Sequence, residues 1–119
     1  MFIPRDQAPV TEVAPGLRRR LLAQGERLTV CTYEFASAGI EVPEHHHAHE
    51  QVSHVVQGSL RYWLAGEELQ VGDGDTVMVA PHTPHAVQSL EPCVVVDTFS
   101  PPREDYLVSV VWPPSPPGR

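Results

Sequence analysis

Thirteen prolines and eight glycines punctuate this 119-residue chain, and the stretches between them are short. Proline removes a backbone donor and fixes φ, so it interrupts helices and marks strand ends and sheet edges. No segment sustains helical periodicity. Short β-rich runs recur instead, and strands are predicted over Leu28 to Phe35, Gln51 to Gln57, Leu60 to Leu64, Thr76 to Ala80, Ala86 to Leu90, Val94 to Phe99 and Leu107 to Trp112. Turn residues separate them at Ala38-Gly39, Gly58-Ser59, Ala65-Gly66-Glu67 and Gly72-Asp73-Gly74-Asp75, where Asp73 and Asp75 read as turn formers. Many short strands at this spacing predict an all-β antiparallel sandwich or barrel.

The length suits one domain, expected over residues 1–112, followed by a proline-rich flexible tail over 113–119. A formal net charge of −7 makes the chain a poor binder of polyphosphate, so nucleic acid is not an expected partner. The sole basic run, Arg18-Arg19-Arg20, reads as a solvated strand edge. Neither an apolar signal core nor a stretch of membrane-spanning length is present, which predicts a cytoplasmic protein without a membrane partner. Cys31 and Cys93 form no CxxC pair and read as free thiols.

All seven histidines fall into two windows, His45 to His54 and His82-Thr83-Pro84-His85. Neutral imidazole is the commonest protein ligand for a transition metal, and clustering on strands suggests one metal site. Alternate strand residues share a face, so His45, His47, His49 and Gln51 have one parity and His46 the other. His45 and His47 can therefore meet one ion inside a barrel. Gln51 would follow after a small irregularity, and His85 would arrive from a strand paired in space, presented by the Pro81 to Pro84 turn. His46 is expected to be exposed. His54 and His82 are open between a supporting role and the surface, while His49 either lines the pocket or ligates if the register slips by a bulge.

The order Gly39, His45-x-His47, Gln51, Gly58, and then Gly74-Asp75, Pro81 and His85, resembles the paired signatures of the cupins. That resemblance implies a double-stranded β-helix, or jelly-roll barrel, with His45, His47, Gln51 and His85 as the metal ligands. The chain departs from the usual pattern where Gln51 replaces Glu, His82 stands at a usual Gly and Ser89 at a usual Asn. Four neutral donors leave a divalent ion its full charge, and they admit Ni, Fe, Mn, Co or Zn.

In Val94-Val95-Val96-Asp97-Thr98-Phe99, one carboxylate interrupts an apolar strand. Asp97 either faces the barrel interior as a desolvated acid or faces out, where it could pair Arg103. Arg103 follows two prolines and either recognises a carboxylate or pairs Glu104 or Asp105 at the surface. Tyr62 and Trp63 read as packing residues. A narrower resemblance is carried by His-x-His-x-His-Glu-Gln together with Asp-x-Phe-Ser-Pro-Pro-Arg-Glu-Asp. It is to the KdgF-type cupins of pectin and alginate breakdown, which linearise 4,5-unsaturated monouronates to a keto-deoxyuronate. It implies that Asp97 and Arg103 are catalytic, that Phe99 contacts substrate, and that the partner is a small sugar acid; His49, on its parity, is expected to contact substrate as well. Cupin dioxygenases, Lewis-acid isomerases or cyclases, and a non-catalytic sugar-acid binding module are the competing expectations. Small cupins also dimerise through edge strands, which predicts a homodimer using the strand near Val10 to Arg20.

Overall fold

The computed structural model describes residues 1–114, and they form two antiparallel sheets packed face to face. The strands are β1 (Val10–Ala14), β2 (Leu17–Gln24), β3 (Thr29–Phe35), β4 (Glu41–His45), β5 (Glu50–Gln57), β6 (Leu60–Leu64), β7 (Glu67–Val71), β8 (Thr76–Val79), β9 (His85–Ser89) and β10 (Cys93–Ser100). One sheet runs β1-β2-β3-β10-β5-β8 and the other β4-β9-β6-β7, an all-β antiparallel arrangement as the strand spacing predicts and the jelly roll that the cupin resemblance implies. Single 3-10 turns lie at Arg5–Gln7 and Glu104–Leu107. Of the proline-rich tail expected over 113–119, residues 115–119 lie outside the described residues.

Inward and outward residues alternate along each central strand, as a sheet with one buried face requires. On β10, Cys93, Val95, Asp97 and Phe99 are buried, while Val94, Val96 and Thr98 are only half-buried. Leu17, Phe35, Val55, Leu60, Tyr62 and Val79 belong to the main core, and a second cluster of Leu21, Cys31, Phe99 and Tyr106 closes one end. Both cysteines are buried free thiols, and the Cys93 thiol donates to backbone carbonyls of Ser59 and Glu91.

Several elements differ from expectation. The segment expected as a strand over Leu107 to Trp112 is no strand. Tyr106, Val108 and Val110 donate their backbone N–H groups to carbonyls three residues back, so local turns satisfy the backbone that a sheet would otherwise have to pair. β7 was not expected because Glu67, Glu68 and Gln70 hide its alternation, and it forms as a sheet edge against β6. β4 carries Pro43 and is likewise an edge strand, where a missing ladder donor costs little. The arginine triplet is not a solvated edge. β2 lies between β1 and β3; Arg18 is exposed, but Arg20 is 9% exposed and bonds Glu34 at 2.9 Å, and Arg19 has the inward parity of buried Leu17 and Leu21.

Gly58 closes the β5–β6 turn at φ +96°, and its N–H donates to Asp73 Oδ1 at 2.6 Å. A Cβ there would lie 2.4 Å from the Pro92 carbonyl oxygen and 2.9 Å from Cys93 Cα. Backbone atoms cannot swing aside as a side chain can. Gly58→Ala should therefore cost about 2 kcal/mol or more in urea unfolding, and an unchanged midpoint would show that the turn and the Pro92–Cys93 backbone shift freely.

Candidate metal centre and cavity

Each of the two sheets supplies part of one polar cluster. From the smaller sheet come His45 and His85, opposite one another in the β4–β9 pairing with ring centroids 4.2 Å apart. From the larger sheet come Gln51 and Phe99, which pair across β5 and β10, and Asp97, which pairs Ser53 one step further in. His47 belongs to neither sheet. The chain leaves β4 after His45 and resumes as β5 at Glu50, crossing between sheets, so strand parity does not govern residues 46–49. The crossing nonetheless brings His47 beside His45 and His85, with ring centroids at 5.7 and 5.0 Å.

One imidazole nitrogen from each of His45, His47 and His85 falls within 4.8 Å of the others, a group that could hold a metal ion. The backbone fixes which nitrogens these are. Nδ1 of His45 lies 2.8 Å from the Pro43 carbonyl and Nδ1 of His85 lies 2.8 Å from that of Thr83, so each Nδ1–H donates and leaves Nε2 a bare lone pair. Nε2 of His85 is buried with no protein partner. His47 is more telling still. Its Nδ1 faces the His49 carbonyl at 3.0 Å and its Nε2 faces Gln51 Oε1 at 2.9 Å, yet a neutral ring can donate from only one nitrogen. Burial holds the His47 pKa down, which disfavours the doubly protonated ring. One lone pair must therefore face another, an arrangement that a cation relieves. Gln51 is oriented for this, because its amide Nε2 donates to Ser53 Oγ at 3.1 Å and turns Oε1 toward His47. Ser53 in turn contacts the Tyr62 hydroxyl at 3.1 Å. The donor set fits a divalent transition ion.

Desolvation sets the protonation of the cluster. Burial, reinforced by His45 and His47, holds the His85 pKa down to about 4, so the ring is neutral and ready to ligate near neutral pH. Asp97 moves the other way. Burial raises it to about 6 although Ser53 and Gln51 pull it back, and its Oδ1 has no hydrogen-bond partner. Of the two orientations open in the sequence, Asp97 takes the inward one, and the partner of Arg103 is Asp105 rather than Asp97.

Beyond the cluster lies a cavity of about 450 Å³, lined in part by His45, Gln51, Tyr62, His85, Asp97, Phe99 and Arg103. The volume suits a small ligand. Arg103 lies against Phe99 and Tyr106, 4.9 and 4.4 Å from their ring centroids, and its fork is held by Asp105 at 3.0 and 2.8 Å. The Arg103 side chain is 14% exposed and that of Asp105 58%, so the pair sits at the rim of the cavity, with the arginine turned in and the carboxylate facing water. His49 packs edge-on to His47 and Phe99 and has an unpartnered buried Nδ1, but it does not line the cavity. His46 is exposed as expected, and His54 is an exposed residue bonded to Thr76.

His82 is exposed too, but its backbone has a task. At φ +64° it adopts the left-handed conformation that the usual Gly would take freely, and its N–H donates to the His47 carbonyl at 2.6 Å. That bond ties the His85 turn to the His47 crossing. Ser89, in place of the usual Asn, donates to Ser37 O and accepts from Ile40 N, anchoring the entry to β4. Sequence reasoning missed Arg19, Tyr33 and Tyr106 as cavity residues; the inward parity of Arg19 between Leu17 and Leu21 was the available signal.

A family model described as a cupin domain matches residues 31–99, which span the whole cluster up to Phe99. The chain belongs to the cupin family. Among its relatives, pectin degradation protein KdgF of Dickeya dadantii (strain 3937) is 34% identical over 103 residues, covering 86% of this chain and 94% of that protein. The structure of KdgF from Halomonas sp. superposes with a TM-score of 0.84 at 33% identity, covering 90% of this chain and 98% of that one. An RmlC-like cupin from Shewanella frigidimarina NCIMB 400 matches with a TM-score of 0.83 at 32% identity, over 88% and 94% of the two chains. This cupin is thus similar to KdgF-type proteins over nearly its full length.

The Asp97 shift has a consequence for stability. Folded Asp97 keeps its proton up to about 6, whereas an ordinary aspartate releases it near 3.8. Its contribution to stability is therefore present below 3.8 and lost as pH rises through about 6. Asp97→Asn has no proton to lose. In chelator-stripped protein it should gain on the wild type between about pH 4 and about pH 7, by up to about 3 kcal/mol. Thermal melts across that range check the trend, and a difference that does not change with pH would contradict it.

Proposed function

We propose that this cupin is a metal-dependent enzyme that opens 4,5-unsaturated monouronates to the linear keto-deoxyuronate. One observation carries the proposal: a buried Asp97, its carboxyl raised to about 6, in the same cavity as a converging set of neutral metal donors, in a chain similar to KdgF. A divalent ion held by His45, His47, Gln51 and His85 would supply Lewis acidity, undiminished by any anionic ligand. The native ion is one of Ni, Fe, Mn, Co or Zn.

The substrate is a cyclic hemiacetal whose ring oxygen is attached to an alkene carbon. Asp97, as carboxylate, takes the proton of the anomeric hydroxyl. The carbonyl then forms at the anomeric carbon, the bond from that carbon to the ring oxygen breaks, and its electron pair leaves with the ring oxygen as an enolate. The protonated Asp97 returns its proton to the adjacent alkene carbon, which yields the ketone. No atom is gained or lost. A carboxyl group raised to about 6 is suited to both transfers, since it is neither a feeble base nor a reluctant acid near neutral pH. Phe99 forms an apolar wall that excludes water, His49 holds that wall edge-on, and Arg103 adds positive charge beside the substrate carboxylate. Among the described residues no helix is long and apolar enough to cross a membrane, and a small sugar acid is the proposed partner. We also propose a homodimer joined along β1, an edge strand that exposes Val10 and Val13.

The experiment follows the loss of the conjugated double bond in unsaturated galacturonate, with NMR identifying the product. Wild type should convert it, chelation should abolish conversion and reloading should restore it. Asp97→Asn should lose at least about 100-fold in rate with its metal content intact. The wild-type rate should also fall as the pH is lowered, because the first step needs the carboxylate; a bound cation favours that charged form, so the fall lies below the value of about 6 in the metal-free protein. Metal-loaded protein that does not exceed the spontaneous rate would exclude this reaction, and oxygen uptake with small acids would then favour a cupin dioxygenase.

A further inference from the structure

Three guanidinium groups lie at consecutive positions on β2, and only the middle one enters the cavity. Arg18 is exposed on the outer face, and Arg20 is engaged by Glu34 at 2.9 Å. Arg19 points inward from its pairing with Tyr33 on β3, and it lines the cavity that also holds Asp97 and His85. Its guanidinium carbon sits 3.8 Å from the centroid of Tyr106, whose hydroxyl is fixed by that of Tyr33 at 2.7 Å. Among the described residues no carboxylate lies within ion-pairing distance of it; the Tyr33 hydroxyl is its one polar side-chain neighbour and leaves the other N–H groups of the guanidinium untaken.

This matters because the other arginine of the cavity is already occupied. Asp105 takes Arg103 with two hydrogen bonds, from Nε and from one terminal nitrogen, which is the bidentate geometry a substrate carboxylate would use. Both guanidiniums lie within 4.4 Å of the same Tyr106 ring centroid, so one end of the cavity carries two cations against the single carboxylate of Asp105. A partly buried charge is normally paired, and stacking on an aromatic face compensates it only in part. Stacking also leaves the hydrogen-bonding edge of the guanidinium available.

We propose that Arg19 is the residue that binds the carboxylate of the substrate, through the guanidinium edge left open above Tyr106. Arg103, closed by Asp105, then contributes charge and shape to the wall. The identity of the anion as a uronate rests on the function proposed above; the anion site itself does not.

Binding of galacturonate and of galactose, its neutral counterpart, to the protein as purified tests this by titration calorimetry. Wild type should prefer galacturonate at least tenfold. Arg19→Gln should erase that preference, and so should Arg19→Met, whose unbranched chain still packs on Tyr106 should the glutamine variant fold poorly. Arg18→Gln removes the same charge from the same strand on the outer face, so it measures any long-range effect and should keep the preference. The assignment fails if the Arg19 variants retain the preference, if they lose no more of it than Arg18→Gln, or if wild type shows none. Turnover of unsaturated galacturonate separates the two proposals. An Arg19-dependent preference without turnover keeps the anion site and removes the reaction, whereas turnover with a preference indifferent to Arg19 does the reverse.

Discussion

The register of β10 between β3 and β5 is the constraint on which the rest of the site depends. Pairing fixes Asp97 between Cys31 and Ser53, and Phe99 between Thr29 and Gln51. Because side chains alternate, a slip of one residue would send Asp97 and Phe99 to the outer face and bring Val96 and Thr98 inward. The register is protected by what lies further along the same strand. Cys93 and Val95 are buried in the main core, so a slip would also expose core residues at the far end. Packing with no part in the chemistry thus holds the carboxylate in place.

The site uses the same burial that stabilises the fold, but against its own comfort. His85 Nε2 and Asp97 Oδ1 are buried without partners, and His47 faces oxygen acceptors with both nitrogens. A core built only for stability would fill these positions with apolar residues or satisfy each lone pair. Their persistence in one cluster, aimed into one cavity, is the strain expected where a group must stay reactive. The surrounding bonds are spent on orientation: Pro43, Thr83 and Ser53 each fix one ring or amide, and the His82 N–H ties the two histidine segments together.

How much of this could be read in the sequence depended on whether local rules extended to the residue concerned. An antiparallel sandwich or barrel followed from turn spacing and the jelly roll from the cupin resemblance, while alternation put Val95, Asp97 and Phe99 on one face of β10 and left open which way that face looks. His45, His47, Gln51 and His85 were legible as a group, although the reason given for His47 was incomplete: the chain leaves the strand there, and a crossing between sheets brings it home. β7 was hidden because charged side chains cover an edge strand. Leu107 to Trp112 has strand-like composition but satisfies its backbone locally, a choice that depends on Tyr106 finding Phe99 and Arg19 in space. Arg19 was lost among three consecutive arginines, where a charge run masked the alternation that sends one inward between Leu17 and Leu21.

Charge accounting around the cavity ties these features together. The donors of the metal group are three imidazoles and an amide, all neutral, so an ion held there would keep its full charge. Arg19 and Arg103, both against the Tyr106 ring, oppose only Asp105. Asp97 lines the same cavity, and burial has raised its carboxyl to about 6 in the metal-free protein. Excess positive charge therefore shares the cavity with a carboxyl group that can change state. A neutral sugar would leave that imbalance untouched. A small monoanion that passes through an enolate would bring one negative charge and develop a second during reaction, so stabilisation would grow between bound ground state and transition state. Interactions that strengthen in that interval are the ones that accelerate chemistry rather than merely tighten binding. The distribution of charge thus favours an enzyme acting on an acid over a module that only senses one.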